Sequence, residues 1–202
     1  MKAMCTMVVL HRPPTRRKMA VLQLLACVNF PTSVLCKVPQ LFDLAEILKI
    51  ERLQNVHLLR AYQAQKKNMS DKNVHCGGAG EKLLYHGTAK NNCIPIMKNG
   101  FNRSFAGCNG TSYGNGTYFA VNASLSVGYS SPAHDGSRSM FVVRVLTGVY
   151  DAGHKSMKVP PPRSYQQPHD LYDSVVDQIH QPDLYVVFQD NQAYPDYLIT
   201  FR

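Results

Sequence analysis

The stretches His86-Gly87-Thr88, Gly116-Thr117-Tyr118-Phe119-Ala120 and Ser126-Val127-Gly128-Tyr129 supply an imidazole, a length of backbone without a side chain and two phenol rings. Together these parts suit the grip of a flat aromatic amide beside a sugar. A glycine after the β-type run Lys82-Leu83-Leu84-Tyr85 lets the main chain approach a planar ligand closely, and His86 beside it can hydrogen-bond a sugar hydroxyl. Tyr118 and Tyr129 stand eleven residues apart, a separation that a strand and a short helix can fold into two walls of one slot. Ring faces at stacking distance suit an aromatic leaving group. Taken singly, each residue also fits a strand end or half-buried packing; their conjunction is what points to a site.

The elements that must position these residues form a single α+β unit without internal repeats. Residues 46–53, with Ile47, Ile50 and Leu53 among charged neighbours, fit either a strand or the end of a helix. Asn55 predicts a capped helix over residues 56–68, with Leu58, Ala61 and Tyr62 on one stripe and Lys66 and Lys67 at its C-terminal end. Residues 69–80 read as a loop, given Ser70, Asp71, Asn73 and Gly77-Gly78-Ala79-Gly80. A strand over 82–86 and a short helix over 91–99, stopped by Gly100, follow. Residues 102–116 carry four glycines among Ser, Asn and Thr and predict a mobile loop leading into the Tyr118 strand, placed to cover a ligand. Further strands are expected over 140–146, 184–189 and 197–202, with a loop-rich, proline-containing stretch over 148–168.

Composition narrows the function classes. At 202 residues with 45% hydrophobic content the chain suits one domain with a substantial core. Of the formal net charge of +9, six units come from Lys2, Arg12, Arg16, Arg17, Lys18 and Lys37, with no acidic residue before Asp43; the body carries only +3. Direct nucleic-acid binding through the body is therefore not favoured. The six cysteines form no C-x-x-C pair and no zinc spacing, and the eight histidines do not cluster. They predict reduced thiols, an intracellular protein (nuclear or cytoplasmic) and no metal. The apolar stretch over residues 19–36 follows Arg16-Arg17-Lys18 as in a signal peptide, but Asn29, Pro31, Thr32 and Ser33 break it, so no membrane span is expected. Residues 1–46 read as a basic extension without a predicted structure or task.

From residue 47 to 202 the sequence resembles the catalytic domain of the poly(ADP-ribose) polymerase family, the diphtheria-toxin-like ADP-ribosyltransferases. The resemblance rests on Leu83-Leu84-Tyr85-His86-Gly87-Thr88, Gly100-Phe101-Asn102-Arg103-Ser104, Tyr113-Gly114-Asn115-Gly116-Thr117-Tyr118-Phe119-Ala120 and the run from Asn191 to Phe201, and is strongest to the macrodomain-bearing branch. It implies a split antiparallel sheet with short helices, a catalytic domain over 47–202 and NAD+ as co-substrate. It also favours a strand over 46–53 and makes the 102–116 loop the donor loop. His86 is implied to hold the ribose, the Gly87 backbone and Ser126 hydroxyl to grip the carboxamide, Thr88 to line the same cofactor site, and Tyr118 and Tyr129 to sandwich the ring.

One departure bears on the product. Polymerising members carry a glutamate at the start of a late strand, and Asp183-Leu184-Tyr185-Val186-Val187-Phe188 places Leu184 there. A leucine neither accepts a hydrogen bond from an incoming ribose hydroxyl nor offers charge to a developing cation. The resemblance thus implies transfer of a single ADP-ribose to protein acceptor side chains, the enzyme itself included, with an acceptor carboxylate supplying the missing charge. Strand alternation turns Asp183 to the other face. The loop over 149–174 is where acceptor choice would be set; Asp151, Asp170, Asp173, Arg163 and Lys158 in it are expected to be solvated. Two other classes stay open: a catalytically silent NAD-binding domain, and a basic interaction protein working through residues 1–42.

Overall fold

The strand Arg138–Leu146 runs through the middle of the molecule, and its Met140-Phe141-Val142-Val143 run is buried on both faces. A strand covered on two sides must be apolar at successive positions, not alternate ones. In this computed structural model residues 4–9, 46–105 and 111–202 are described. The apolar stretch over 19–36 and the centre of the predicted 102–116 loop lie outside the described residues.

The chain order is β1 (Met4–Val9), β2 (Ile47–Gln54), α1 (Val56–Lys72), β3 (Glu81–Thr88), α2 (Lys90–Asn99), a 3-10 turn (Arg103–Phe105), β4 (Thr117–Ala120) and α3 (Ala123–Val127). It continues with β5 (Arg138–Leu146), β6 (Tyr150–Ala152), β7 (Pro162–Ser164), β8 (Gln167–Leu171), β9 (Ser174–Val176), β10 (Leu184–Val187), a 3-10 turn (Asp190–Gln192) and β11 (Ala193–Phe201). Nine strands form one sheet in the order β1-β2-β11-β5-β3-β4-β10-β9-β6, and β7 and β8 form a separate hairpin. All pairings are antiparallel except β6 with β9.

The sheet has a core on each face. One holds Ile50, Tyr85, Met140, Val142, Tyr197, Ile199 and Phe201, closed by Ala123 of α3. The other holds Leu84, Phe119, Phe141, Val143, Val145, Tyr185 and Val187, closed by Cys93 of α2 and Phe101. Each fully buried large side chain contributes on the order of 1.5–3 kcal/mol. A third cluster, Tyr62, Met69, Leu146 and Tyr194, seats α1.

Asn55 caps α1 as predicted: its Oδ1 accepts from the amides of His57 and Leu58, both at 3.2 Å, an arrangement worth about 1 kcal/mol. The helix runs four residues beyond the predicted end, to Lys72. Met69 is buried beside Tyr62, so packing carries the helix through Ser70 and Asp71, which read locally as loop formers. Ala61, placed on one stripe with Leu58 and Tyr62, is exposed. Residues 148–168, expected to be loop-rich, contain β6, β7 and the start of β8. The last strand begins at Ala193, not Tyr197, because Pro195 sits at a register shift instead of ending the strand. The strand from Leu184 stops at Val187, two residues short of its predicted end.

Candidate active site

The sheet splits between β3 and β4. β3 pairs with β5 along all of Glu81–Thr88, but with β4 only at Tyr85 opposite Ala120. Past that point a side chain does the joining: His86 Nδ1 lies 2.9 Å from the Tyr118 carbonyl oxygen. A carbonyl only accepts, so Nδ1 carries a proton and donates; in the neutral ring Nε2 then keeps a lone pair. Burial pushes the His86 pKa down and the bond to Tyr118 offsets part of that shift, so the ring is neutral at physiological pH. Phe101 and Phe119 fix it from the sides, with ring centroids at 5.0 and 5.6 Å.

Gly87 is set by close approach. A Cβ there would overlap the Ser126 carbonyl oxygen and stand 2.7 Å from the Ser130 hydroxyl oxygen. The glycine therefore brings β3 and α3 together, with Ser126 buried at the contact. The same Ser126 carbonyl accepts from the Ser130 hydroxyl at 3.1 Å and the Tyr129 amide at 3.1 Å, which turns the chain out of α3 at Tyr129. Tyr129 is 44% exposed, and its hydroxyl together with that of Tyr113 adds to burial in raising the Tyr118 pKa. Tyr118 donates its hydroxyl proton to the Gly114 carbonyl and accepts from the Tyr113 amide, each at 2.9 Å. Thr88 is buried and its hydroxyl accepts from Asn92 Nδ2 at 3.2 Å.

Leu184 opens β10 opposite Ala120, and the next pair but one is Val186 with Tyr118. Residues two apart share a face and cross-strand partners share a side, so Leu184 and Tyr118 are diagonal neighbours on one surface. Asp183 is exposed and precedes the strand. The Asp183 and Leu184 amides both donate to Asp177 Oδ1, at 3.1 and 3.0 Å, which fixes the start of β10.

The structure thus gathers His86, Gly87, Tyr118, Ser126 and Tyr129 around the split, with Thr88 continuing the β3 wall and Leu184 on the β4–β10 side. Tyr113, Gly114 and Ser130 join them; only the glycine-rich Tyr113-Gly114-Asn115-Gly116 pattern marks any of these in sequence. Asp173 and Arg163 are not solvated as expected: their side chains are 6% and 16% exposed and pair at 2.8 Å. The Asp173 carboxylate also accepts from Asn73 Nδ2, Lys72 Nζ and the Val149 amide, which ties the base of the β7–β8 hairpin to α1. Among the described residues no three His, Cys, Asp or Glu side chains converge as metal ligands, and no helix is long and apolar enough to cross a membrane.

A split antiparallel sheet with a histidine bridging the gap is the architecture of an ADP-ribosyltransferase. The chain belongs to the poly(ADP-ribose) polymerase catalytic domain family, whose model matches residues 37–165. It is 52% identical over 158 residues to the human protein mono-ADP-ribosyltransferase PARP14, covering 77% of this chain and 9% of that protein. It is 43% identical over 159 residues to mouse protein mono-ADP-ribosyltransferase PARP10, and 42% identical over 158 residues to mouse protein mono-ADP-ribosyltransferase PARP12. The aligned region takes up only 16% and 21% of those two relatives, so the chain corresponds to a small part of each of these three proteins.

Proposed function

We propose that this domain cleaves NAD+ to nicotinamide and transfers one ADP-ribose unit to a protein side chain. The observation that carries the reading is His86 at the split, its Nδ1 2.9 Å from the Tyr118 carbonyl oxygen; in the neutral ring that burial favours, Nε2 is left as an acceptor. An acceptor nitrogen there suits a ribose hydroxyl. The main chain at Gly87 and the Ser126 hydroxyl suit the carboxamide, Thr88 lines the ribose end, and Tyr118 and Tyr129 supply ring faces.

In the reaction the bond between nicotinamide nitrogen and ribose C1′ breaks, its electron pair leaves on nicotinamide, and the sugar becomes cation-like. An acceptor oxygen then bonds to C1′. The protein orients the ribose and holds the leaving group. Leu184 adds no charge and no hydrogen-bond acceptor, so a second ribose hydroxyl is not activated and the product stays a single unit. The names of the relatives support this reading, as each is a protein mono-ADP-ribosyltransferase. The acceptors are protein side chains, the enzyme's own included. Cys76 and Cys93 are free thiols, which supports a reducing intracellular setting, nuclear or cytoplasmic.

Incubation with NAD+ followed by intact-mass measurement tests the proposal. Discrete increments of one ADP-ribose unit per site are expected. Ladders at a single site would mean polymer, and unchanged mass in protein that binds NAD+ would mean a silent binding module.

A further inference from the structure

The segment leading into Tyr118 is fastened to the loop that follows β6. Asn115 donates its amide proton to the Met157 carbonyl at 2.7 Å. Gly114, at φ +124°, leaves no room for a side chain: a Cβ would stand 2.9 Å from the Phe188 ring and 3.2 Å from Met157 Cβ. Gly153 is equally confined, since a Cβ on it would lie 2.5 Å from the Tyr113 carbonyl oxygen and 2.9 Å from Val175 Cγ2. Its amide is held by the Val176 carbonyl at 2.8 Å, so it cannot retreat from Tyr113 without leaving β9. The Tyr113, Tyr118 and Met157 side chains pack together on Val175, Val186 and Phe188. The other root of the segment reaches the same residue, with Arg103 donating to the Phe188 carbonyl at 2.9 Å.

We infer that residues 153–157 are a positioning element for residues 111–116, so that the loop on the acceptor side of the sheet sets how tightly the dinucleotide is held. This rests on the transferase reading above. The Tyr113–Gly114 turn is pinned from one side by the Tyr118 hydroxyl and from the other by Gly153 and Met157. A shift of the 153–157 segment is therefore passed to the stretch that runs into the Tyr118 wall. Tyr118 is the one wall of the pyridine slot that this segment touches. Gly87, Ser126 and Tyr129 sit on β3 and at the end of α3, away from it, so a nicotinamide mimic keeps most of its contacts when the segment shifts. NAD+ and a nicotinamide mimic should respond differently.

The test compares full-length Gly153→Ala, Met157→Ala and Met157→Leu with the parent chain, using calorimetric titration of NAD+ and of 3-aminobenzamide, with thermal melts to check folding. Misplacing a positioning group by a fraction of an ångström carries a large penalty, so Gly153→Ala should weaken NAD+ about tenfold and benzamide less than about twofold. Met157→Ala should show the same pattern at about threefold, and Met157→Leu should restore the parent value. NAD+ affinity equal to the parent in folded variants would overturn the inference, and so would equal weakening of both ligands. Should Gly153→Ala fail to fold, the Met157 pair decides. Failure of the parent chain to bind NAD+ would sink the transferase reading instead.

Discussion

The two edges of β3 behave differently. Toward β5 the strand makes a continuous ladder over Glu81–Thr88; toward β4 it makes one pair, at Tyr85. On the ladder side the main chain is satisfied by main chain and the side chains are free to build a core. On the split side the ladder ends and an imidazole spans the gap. Main-chain groups of β3 facing that gap have no strand to pair with, and a planar amide that both donates and accepts can take its place. On the proposed reading, binding capacity arises where the sheet stops pairing with itself.

At Gly87 that contrast can be broken by bulk alone. Gly87→Val puts atoms inside the Ser126 carbonyl; overpacking of this kind costs about 1–3 kcal/mol, and benzamide affinity should fall by more than about tenfold in a calorimetric titration. His86→Ala comes next: labelling of the protein by radioactive NAD+ should drop by about two orders of magnitude, and undiminished labelling would remove the role assigned to that ring.

Acidity sharpens the same point more gently. The His86 pKa lies below the ordinary 6.5. Its neutral form, and with it NAD+ affinity, should hold constant as pH falls to that value and decline only below it. The unfolded chain takes up its proton first, so native stability should also decline below 6.5 and gain nothing above it. Denaturant titrations across the acid range measure this.

The smallest effect is expected on the ladder side. Tyr62 donates to Glu81 Oε1 at 2.5 Å, remote from the split. Tyr62→Phe should lower stability by about 1 kcal/mol and leave NAD+ binding as it was. A change in binding there would mean the two edges are not independent.

Much of the site can be read from sequence because its parts are local signals. A glycine after a β-type run, a capping asparagine and tyrosines flanking a short helix are each decided by neighbours a few residues away. What cannot be read that way depends on contacts between distant segments. Asp173 looks like a loop carboxylate until Lys72, Asn73 and Arg163 converge on it from as far as 101 residues away. The end of α1 is decided by Met69 reaching the core, and the start of β11 by a bulge that absorbs Pro195. The proton position on His86 follows only once its partner is known to be a carbonyl.

β11 lies between β2 and β5 in the interior of the sheet, with nearly every residue buried, yet it comes after all the other strands in the sequence. During synthesis β2 and β5 must wait, each with an open edge, until the residues from Ala193 onward leave the ribosome. The nascent domain is therefore most exposed to self-association just before it is finished. A premature stop in the codons for β11 would be expected to yield aggregate, not a weakened enzyme.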